Sequence, residues 1–251
     1  MMSLGDRMKD YEKVWANKLP RRLPVMARLD GISFSKLTKN MTKPHDDLFH
    51  RAMVDAATAV VKKSAGSVLA YTQSDEITIL LRNNQTFGTE PFLGNKVQKL
   101  VSHLAGYATA AFCASSGQSA SFDCRAWVNP EAEIVNQFLW RQKDAFKNCV
   151  SSVAIHKLRE KYGRKTVDEM LHGKTTDERQ EIIFKETGLN MNDYPAKYRR
   201  GSCIVNESYL HKEVIEDLVC TRKRWVEDTD IPLFSQDPGY IMDRYCEGVE
   251  E

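Results

Sequence analysis

Val68 to Leu81 reads VLAYTQSDEITILL. Two runs of β-branched, aromatic and aliphatic residues flank a polar centre, Thr72-Gln73-Ser74-Asp75-Glu76, which predicts a hairpin of apolar strands with an acidic tip. Ionised side chains at the end of such a hairpin are expensive to desolvate unless something pairs with them, and a divalent cation is one such partner. Ser and Asp are also ordinary turn residues, so taken alone the tip reads first as a solvated turn.

A second acid shifts that balance. Leu23 to Asp30 (LPVMARLD) is another short apolar run, and it ends in Asp30-Gly31. Asp46 or Asp47 is placed to cap a helix carrying Phe49, Ala52, Met53, Ala56 and Val60 up to Gly66. Lys96 to Cys113 reads as a second helix, with Val97, Leu100, Val101, Leu104, Tyr107 and Ala108 on one side, and Ser121 to Val128 as a final strand. The order β-α-β-β-α-β predicts an α+β, ferredoxin-like arrangement. Its first and third strands are antiparallel central neighbours. Asp30 ends the first while Asp75 and Glu76 begin the third, so acids about 45 positions apart converge at one sheet edge.

Around this unit, residues 3 to 18 predict a short helix that packs through Tyr11, Val14 and Trp15. Gly31 to Lys43 form a loop anchored by Phe34 and Leu37 and closed by Lys43-Pro44. Ala132 to about Lys161 is helical with a break at Asn148 to Ser152. Thr175 to Glu178 resembles a capping box for the helix of Ile182, Ile183 and Phe184, which stops at Gly188. The basic stretch Tyr194 to Gly201 (YPAKYRRG) precedes an extended run, Ser202 to Tyr209, on which Val214 to Val219 pair back. Residues after Pro232 carry no assignable pattern.

The 251 residues are 42% hydrophobic, enough for a real core, and a net charge of +2 excludes a generic polyanion binder. No run approaches the length of a membrane span and the N-terminus is charged, so the expectation is a cytoplasmic protein with no membrane contact. Cys113, Cys124, Cys149, Cys203, Cys220 and Cys246 form no CxxC pair, and they read as small buried hydrophobes rather than a zinc site.

Carboxylates gathered at one sheet edge suit Mg²⁺, which usually shares its coordination with substrate phosphates. Paired ions of this kind serve phosphoryl and nucleotidyl transfer. The Gly31 carbonyl is a further candidate ligand, since glycine allows close backbone approach. Lys43, at the start of a predicted helix, is placed to receive a triphosphate, with Arg28 and Arg82 as nearby candidates.

Five segments in order carry a resemblance. Arg28-Leu29-Asp30-Gly31 with Phe34, Lys43-Pro44 with Asp46, Tyr71 with Gln73-Ser74-Asp75-Glu76, Trp140-Arg141-Gln142 with Asp144, and Tyr198-Arg199-Arg200-Gly201 resemble the tRNA-His guanylyltransferase superfamily from about residue 24 to 205. The resemblance implies a polymerase-like palm over residues 1–135. A helical and β-hairpin extension, residues 136–251, packs on it as one structural unit. It implies nucleotide addition in the 3′ to 5′ direction to the 5′ end of tRNA, with ATP and GTP as substrates and a homo-oligomer, a tetramer, as the assembly. Asp30, Asp75 and Glu76 match the catalytic acids. Asp30, Asp75 and the Gly31 carbonyl match the ligands of two Mg²⁺ ions. Arg28, Gly31, Ser33, Phe34, Lys43 and Ser74 match nucleotide-binding positions. Arg141, Lys147, Asn148, Lys197, Arg199 and Arg200 match positions expected near the triphosphates or the RNA.

Two departures bear on the substrate. Where members dedicated to tRNA-His carry His-Ile-Asn-Asn-Leu-Tyr-Asn, this chain has Phe146 to Ser152 and keeps only Asn148; Ser35 stands where those members carry His. Both differences resemble the guanylyltransferase-like branch, whose implied task is template-dependent repair of incomplete tRNA 5′ ends. A palm-type nucleotide cyclase would use a similar acidic hairpin. A non-catalytic RNA-binding module shares the β-α-β-β-α-β order but stacks bases on aromatics of its central strands, which Ile77 to Leu81 lacks.

Overall fold

One antiparallel sheet forms from β1 (Val25–Gly31), β2 (Ser67–Gln73), β3 (Glu76–Leu81), β4 (Phe122–Val128), β5 (Ser202–Lys212) and β6 (Val219–Asp228), in the order β4-β1-β3-β2-β5-β6. It belongs to a computed structural model that describes residues 2–14, 16–212 and 219–249. Trp15 and the strand expected over Val214 to Leu218 lie outside them. The strand that pairs back on β5 is β6, with Val205 opposite Val226. β1 and β3 are central antiparallel neighbours, as the element order requires, with Asp30 directly opposite Glu76.

Strand alternation gives the sheet two faces. Val25, Ala27 and Leu29 of β1 join Ile77, Ile79 and Leu81 of β3 in a core with helices α3 (Asp47–Lys63) and α4 (Val97–Ser116). Met26, Leu69, Tyr71 and Leu80 face the opposite way, into a second core. Every residue of β3 is buried, so its sequence shows no hydrophobic alternation. α3 starts where Asp46 accepts from the amides of Leu48 and Phe49, each at 2.9 Å. Ala52, Met53, Ala56, Ala57, Val60 and Val61 line its buried side. The Gly31–Lys43 connection contains a short helix, α2 (Phe34–Leu37), seated by the buried Phe34 ring.

The second core is closed by α5 (Ile134–Arg159) through Ile134 and Phe138, and by the tail, through Ile231, Phe234, Ile241 and Tyr245. α5 continues into a third cluster with α6 (Arg164–Leu171) and α7 (Thr176–Thr187). The expected break at Asn148 to Ser152 does not occur: Cys149, Val150 and Val153 are buried in that cluster, and packing outweighs low helix propensity. The capping box at Thr175 and Glu178 is formed, and α7 ends at Gly188 in the left-handed conformation. A short helix, α8 (Ala196–Arg199), leads into β5, and the tail folds into α9 (Gly239–Cys246).

Other expectations are corrected here. The helix α1 (Leu4–Lys13) buries no residue, and Tyr11 and Val14 are exposed, so it does not pack through them. Cys246 is exposed, unlike the buried Cys149 and Cys203. Arg82 follows the far end of β3 and donates to the carbonyls of Tyr245 and Glu247, which places it away from the acids and at the end of α9. Among the described residues, no helix is long and apolar enough to cross a membrane.

Candidate active site

The face of β1 opposite α3 and α4 carries Arg28 and Asp30 beside Met26. Asp30 stands opposite Glu76 on one side and Asp123 on the other, and Arg28 opposite Thr78 and Arg125. Directly opposed residues share a face, so a row of acids crosses β3, β1 and β4, with a row bearing two arginines one step behind. Asp75 closes the group at the hairpin tip, where its carbonyl accepts from the Gly31 amide at 3.0 Å. The Asp30 carboxyl is held above its ordinary range, first by burial and then by the charges of Asp75 and Asp123; Arg28 and Arg125 oppose this in part. Asp123 was not singled out in the sequence. Its signal was present, since alternation along Ser121 to Val128 puts it on the face of Asp30 once the strands pair.

Glu76 has turned away from this group toward two arginines. Arg141 Nε donates to its Oε1 at 2.7 Å, and Arg28 Nε lies 3.9 Å from Oε2. Burial raises the Glu76 carboxyl, and Arg141 and then Arg28 pull it back. Arg141 is itself buried, with Nη2 on Asp144 at 2.8 Å, so both ends of the guanidinium are engaged internally.

Gly31 is required by what lies behind it. A Cβ there would stand 2.4 Å from the Phe34 ring. That ring packs on Phe112 and Phe122 with centroids 5.0 and 5.1 Å away. The buried Phe34 ring therefore supports the β1 end. Ser33 is exposed in the left-handed conformation that starts α2.

Beyond the hairpin tip lies a cavity of about 310 Å³ whose walls include Lys43, His45, Gln73, Ser74, Asn148 and Lys197. Lys43 is exposed, and Ser74 Oγ bonds Asp75 at 3.1 Å, linking the cavity to the acids. His45 stacks on Tyr198 with centroids 4.4 Å apart and bonds the Tyr194 hydroxyl at 2.9 Å. Burial, with His156, Lys43 and His50 nearby, lowers its pKa to about 4, so its ring is neutral at physiological pH. Lys197 pairs with Asp47, which also accepts from Tyr198. His45 was missed because its neighbours come from distant segments.

Three basic positions divide between exposure and internal bracing. Lys147 is exposed on α5. Arg199 donates to the Tyr194 carbonyl at 2.6 Å and Arg200 to the Ile231 carbonyl at 3.2 Å, so both brace the segment around α8 rather than reach outward. Gly201 follows at φ +79°, with the Tyr71 ring where a Cβ would stand. Further along, Arg159 is paired with Asp168 and Lys161 with Glu186.

Comparison with known proteins settles the family. Residues 5–130 match the family model described as tRNAHis guanylyltransferase, and residues 132–230 match the Thg1 C terminal domain. The chain belongs to the tRNAHis guanylyltransferase family. It is similar to the tRNA(His) guanylyltransferase of Schizosaccharomyces pombe, 32% identical over 216 residues that cover 80% of this chain and 79% of the relative. The probable tRNA(His) guanylyltransferase of Drosophila melanogaster is 29% identical over 232 residues, 82% and 78% of the two chains. Among solved structures, a bacterial guanylyltransferase (Thg1)-like protein in complex with ATP superposes with a TM-score of 0.84 at 34% identity, covering 97% of this chain and 99% of the other. The same title in complex with GTP gives 0.78 at 33% identity, over 97% and 99%. The family fold and these relatives make the chain a nucleotidyltransferase and set aside the cyclase and the non-catalytic RNA-binding readings.

The family resemblance implies Mg²⁺, and the acids fit it. Burial, and then the charges of Asp75 and Asp123, hold the Asp30 carboxyl up, and a cation beside it would offset both. Among the described residues no three or more His, Cys, Asp or Glu side chains form a ready metal cage. Mg²⁺ is usually held by one or two carboxylates and completed by substrate phosphates and water.

Proposed function

We propose that this enzyme adds nucleotides in the 3′ to 5′ direction to the 5′ ends of tRNAs that lack them, the opposite strand of the acceptor stem choosing each base. The observation that carries the reading is the continuity between the acidic edge and the cationic cavity through Ser74 and Asp75. One end of that arrangement suits a triphosphate and the other suits the chemistry of its phosphate.

Asp30, Asp75 and the Gly31 carbonyl would hold Mg²⁺. When bound, Mg²⁺ supplies charge neutralisation and activation of the attacking oxygen. Lys43 draws the triphosphate into the cavity, and Ser74 positions it against the hairpin tip. Arg28 holds a phosphate oxygen beside Asp30. Glu76 keeps Arg28 and Arg141 in place beneath the acids rather than joining them. A 5′-monophosphate must first be activated, because a phosphate monoester lacks a good leaving group: its oxygen attacks the α-phosphorus of ATP or GTP and pyrophosphate leaves, so that a nucleoside monophosphate becomes the activating group. The 3′-hydroxyl of the incoming nucleotide then attacks the activated 5′ phosphorus, forming the new P–O bond as the activating group leaves. An end already carrying a triphosphate skips the first step, with pyrophosphate as leaving group.

Repair rather than strict selection of tRNA-His is favoured by the segment Phe146 to Ser152, where Cys149 and Val150 are spent on the core. The test is incubation with Mg²⁺, ATP and GTP of intact tRNA-His and of several tRNAs shortened by one 5′ nucleotide, with sequencing of the products. Restoration of the pairing base on shortened tRNAs is the expected result. Addition of an extra G to intact tRNA-His alone would overturn it.

A further inference from the structure

Trp140 is 52% exposed and belongs to none of the three apolar clusters. Single exposed apolar residues are ordinary. The surroundings of this one are not. Its indole lies over the Arg141 guanidinium, 4.4 Å from the ring centroid, with that of Arg28 at 5.6 Å. Both cations are held by Glu76, so the ring is pinned from beneath by groups that belong to the acidic edge. Arg28 and Asp30 share a strand face two residues apart, roughly 7 Å.

The position along α5 gives this a direction. Trp140, Asp144 and Asn148 follow one another at four-residue spacing, one stripe of the helix about 12 Å long. Asp144 accepts from Arg141 at 2.8 Å and from Asn148 at 3.2 Å, which fixes the stripe. Asn148 lines the cavity, and Trp140 stands at the other end. If a triphosphate fills the cavity, the second reactant meets the acids from the Trp140 side.

We propose that Trp140 is the stacking platform for the 5′-terminal base of the RNA while that end is bound and activated, before an incoming nucleotide pairs beyond it, an inference that rests on the nucleotide-addition reading above. Stacking on an indole tolerates any base, because every base has a π face. That tolerance is what an enzyme restoring ends of different sequence needs. The cations under the ring keep it in place, and Arg28 is left beside the 5′-phosphate of the stacked nucleotide.

The test compares wild type, Trp140→Ala and Trp140→Phe on an acceptor-stem RNA carrying 2-aminopurine as its 5′-terminal nucleotide. Wild type should quench the probe, and Trp140→Phe should keep most of that quench. Trp140→Ala should lose it and bind the RNA roughly ten- to a hundredfold more weakly, with the KM for the triphosphate unchanged. Unquenched probe on wild type, unaltered RNA affinity in Trp140→Ala, or a rise confined to the triphosphate KM would each overturn the platform. Circular dichroism and triphosphate KM report folding of the variants independently. Wild-type failure to extend any RNA would instead count against the proposed function, so the two failures are distinct.

Discussion

Arg141 and Glu76 form a buried ion pair at 2.7 Å across 65 positions of sequence, with Arg28 on the far carboxylate oxygen. Breaking a buried pair by removing one partner leaves an uncompensated charge and costs about 3–5 kcal/mol. Arg141→Ala is therefore expected to lose about that much unfolding free energy, measured by urea denaturation. The double variant Arg141→Met with Glu76→Gln should recover much of it, because neither charge then remains stranded. A loss under about 1 kcal/mol in the single variant would show that the pair contributes little.

Asp30 couples stability to function in opposite directions. Its carboxyl is held above the ordinary range by burial, Asp75 and Asp123. Folding thus favours the protonated form: the contribution to stability is full below the unfolded pKa and is lost as pH rises through the folded value. Asp30→Asn removes that loss. It should melt higher than wild type at about pH 7.5 without divalent ions, the gain shrinking toward about pH 4 as wild-type Asp30 takes up its own proton. The same variant should abolish nucleotide addition and any stabilisation by added Mg²⁺. A lower melting temperature at both pH values would refute the electrostatic account.

The convergence of Asp30 with Asp75 and Glu76 was legible because it needs only strand order, which apolar runs and turn residues mark locally. Where Glu76 points was not. Its partner Arg141 lies on a helix whose docking depends on Phe138 and Ile134 meeting Leu69 and Tyr71. Phe34 sits in a motif, but motif position does not separate a side chain placed to meet substrate from one that packs behind the strand end. The tail escaped notice because Ile231, Phe234, Ile241 and Tyr245 follow no single period; they gain their order from the sheet face they cover. α1 failed the other way. Its periodicity is helical, yet it buries nothing.

Gly31→Ala tests that support directly. The new methyl would stand 2.4–2.6 Å from three atoms of Phe34, and Phe34 is hemmed in by Phe49, Phe112 and Phe122. Overpacking of this kind costs about 1–3 kcal/mol. Thermal unfolding should show the loss, and the displaced Gly31 carbonyl should weaken Mg²⁺ dependence as well. Pairing Gly31→Ala with Phe34→Leu should restore part of the stability. Wild-type stability in Gly31→Ala alone would mean that the ring yields freely.

Lys43 separates binding from folding. It is exposed on the cavity wall, and the neighbouring His45 is neutral at physiological pH because its pKa is about 4. With Lys197 tied to Asp47, Lys43 carries the charge most available to a triphosphate. A hydrogen bond to a charged group contributes about 1.5–3 kcal/mol. Lys43→Ala should raise the triphosphate KM roughly ten- to a hundredfold while leaving stability within about 0.5 kcal/mol of wild type. Since His45 stays neutral in this range, His45→Asn should leave the pH dependence of the KM between about pH 6 and pH 8 unchanged. Unchanged KM in Lys43→Ala, with addition intact, would move the triphosphate out of this cavity.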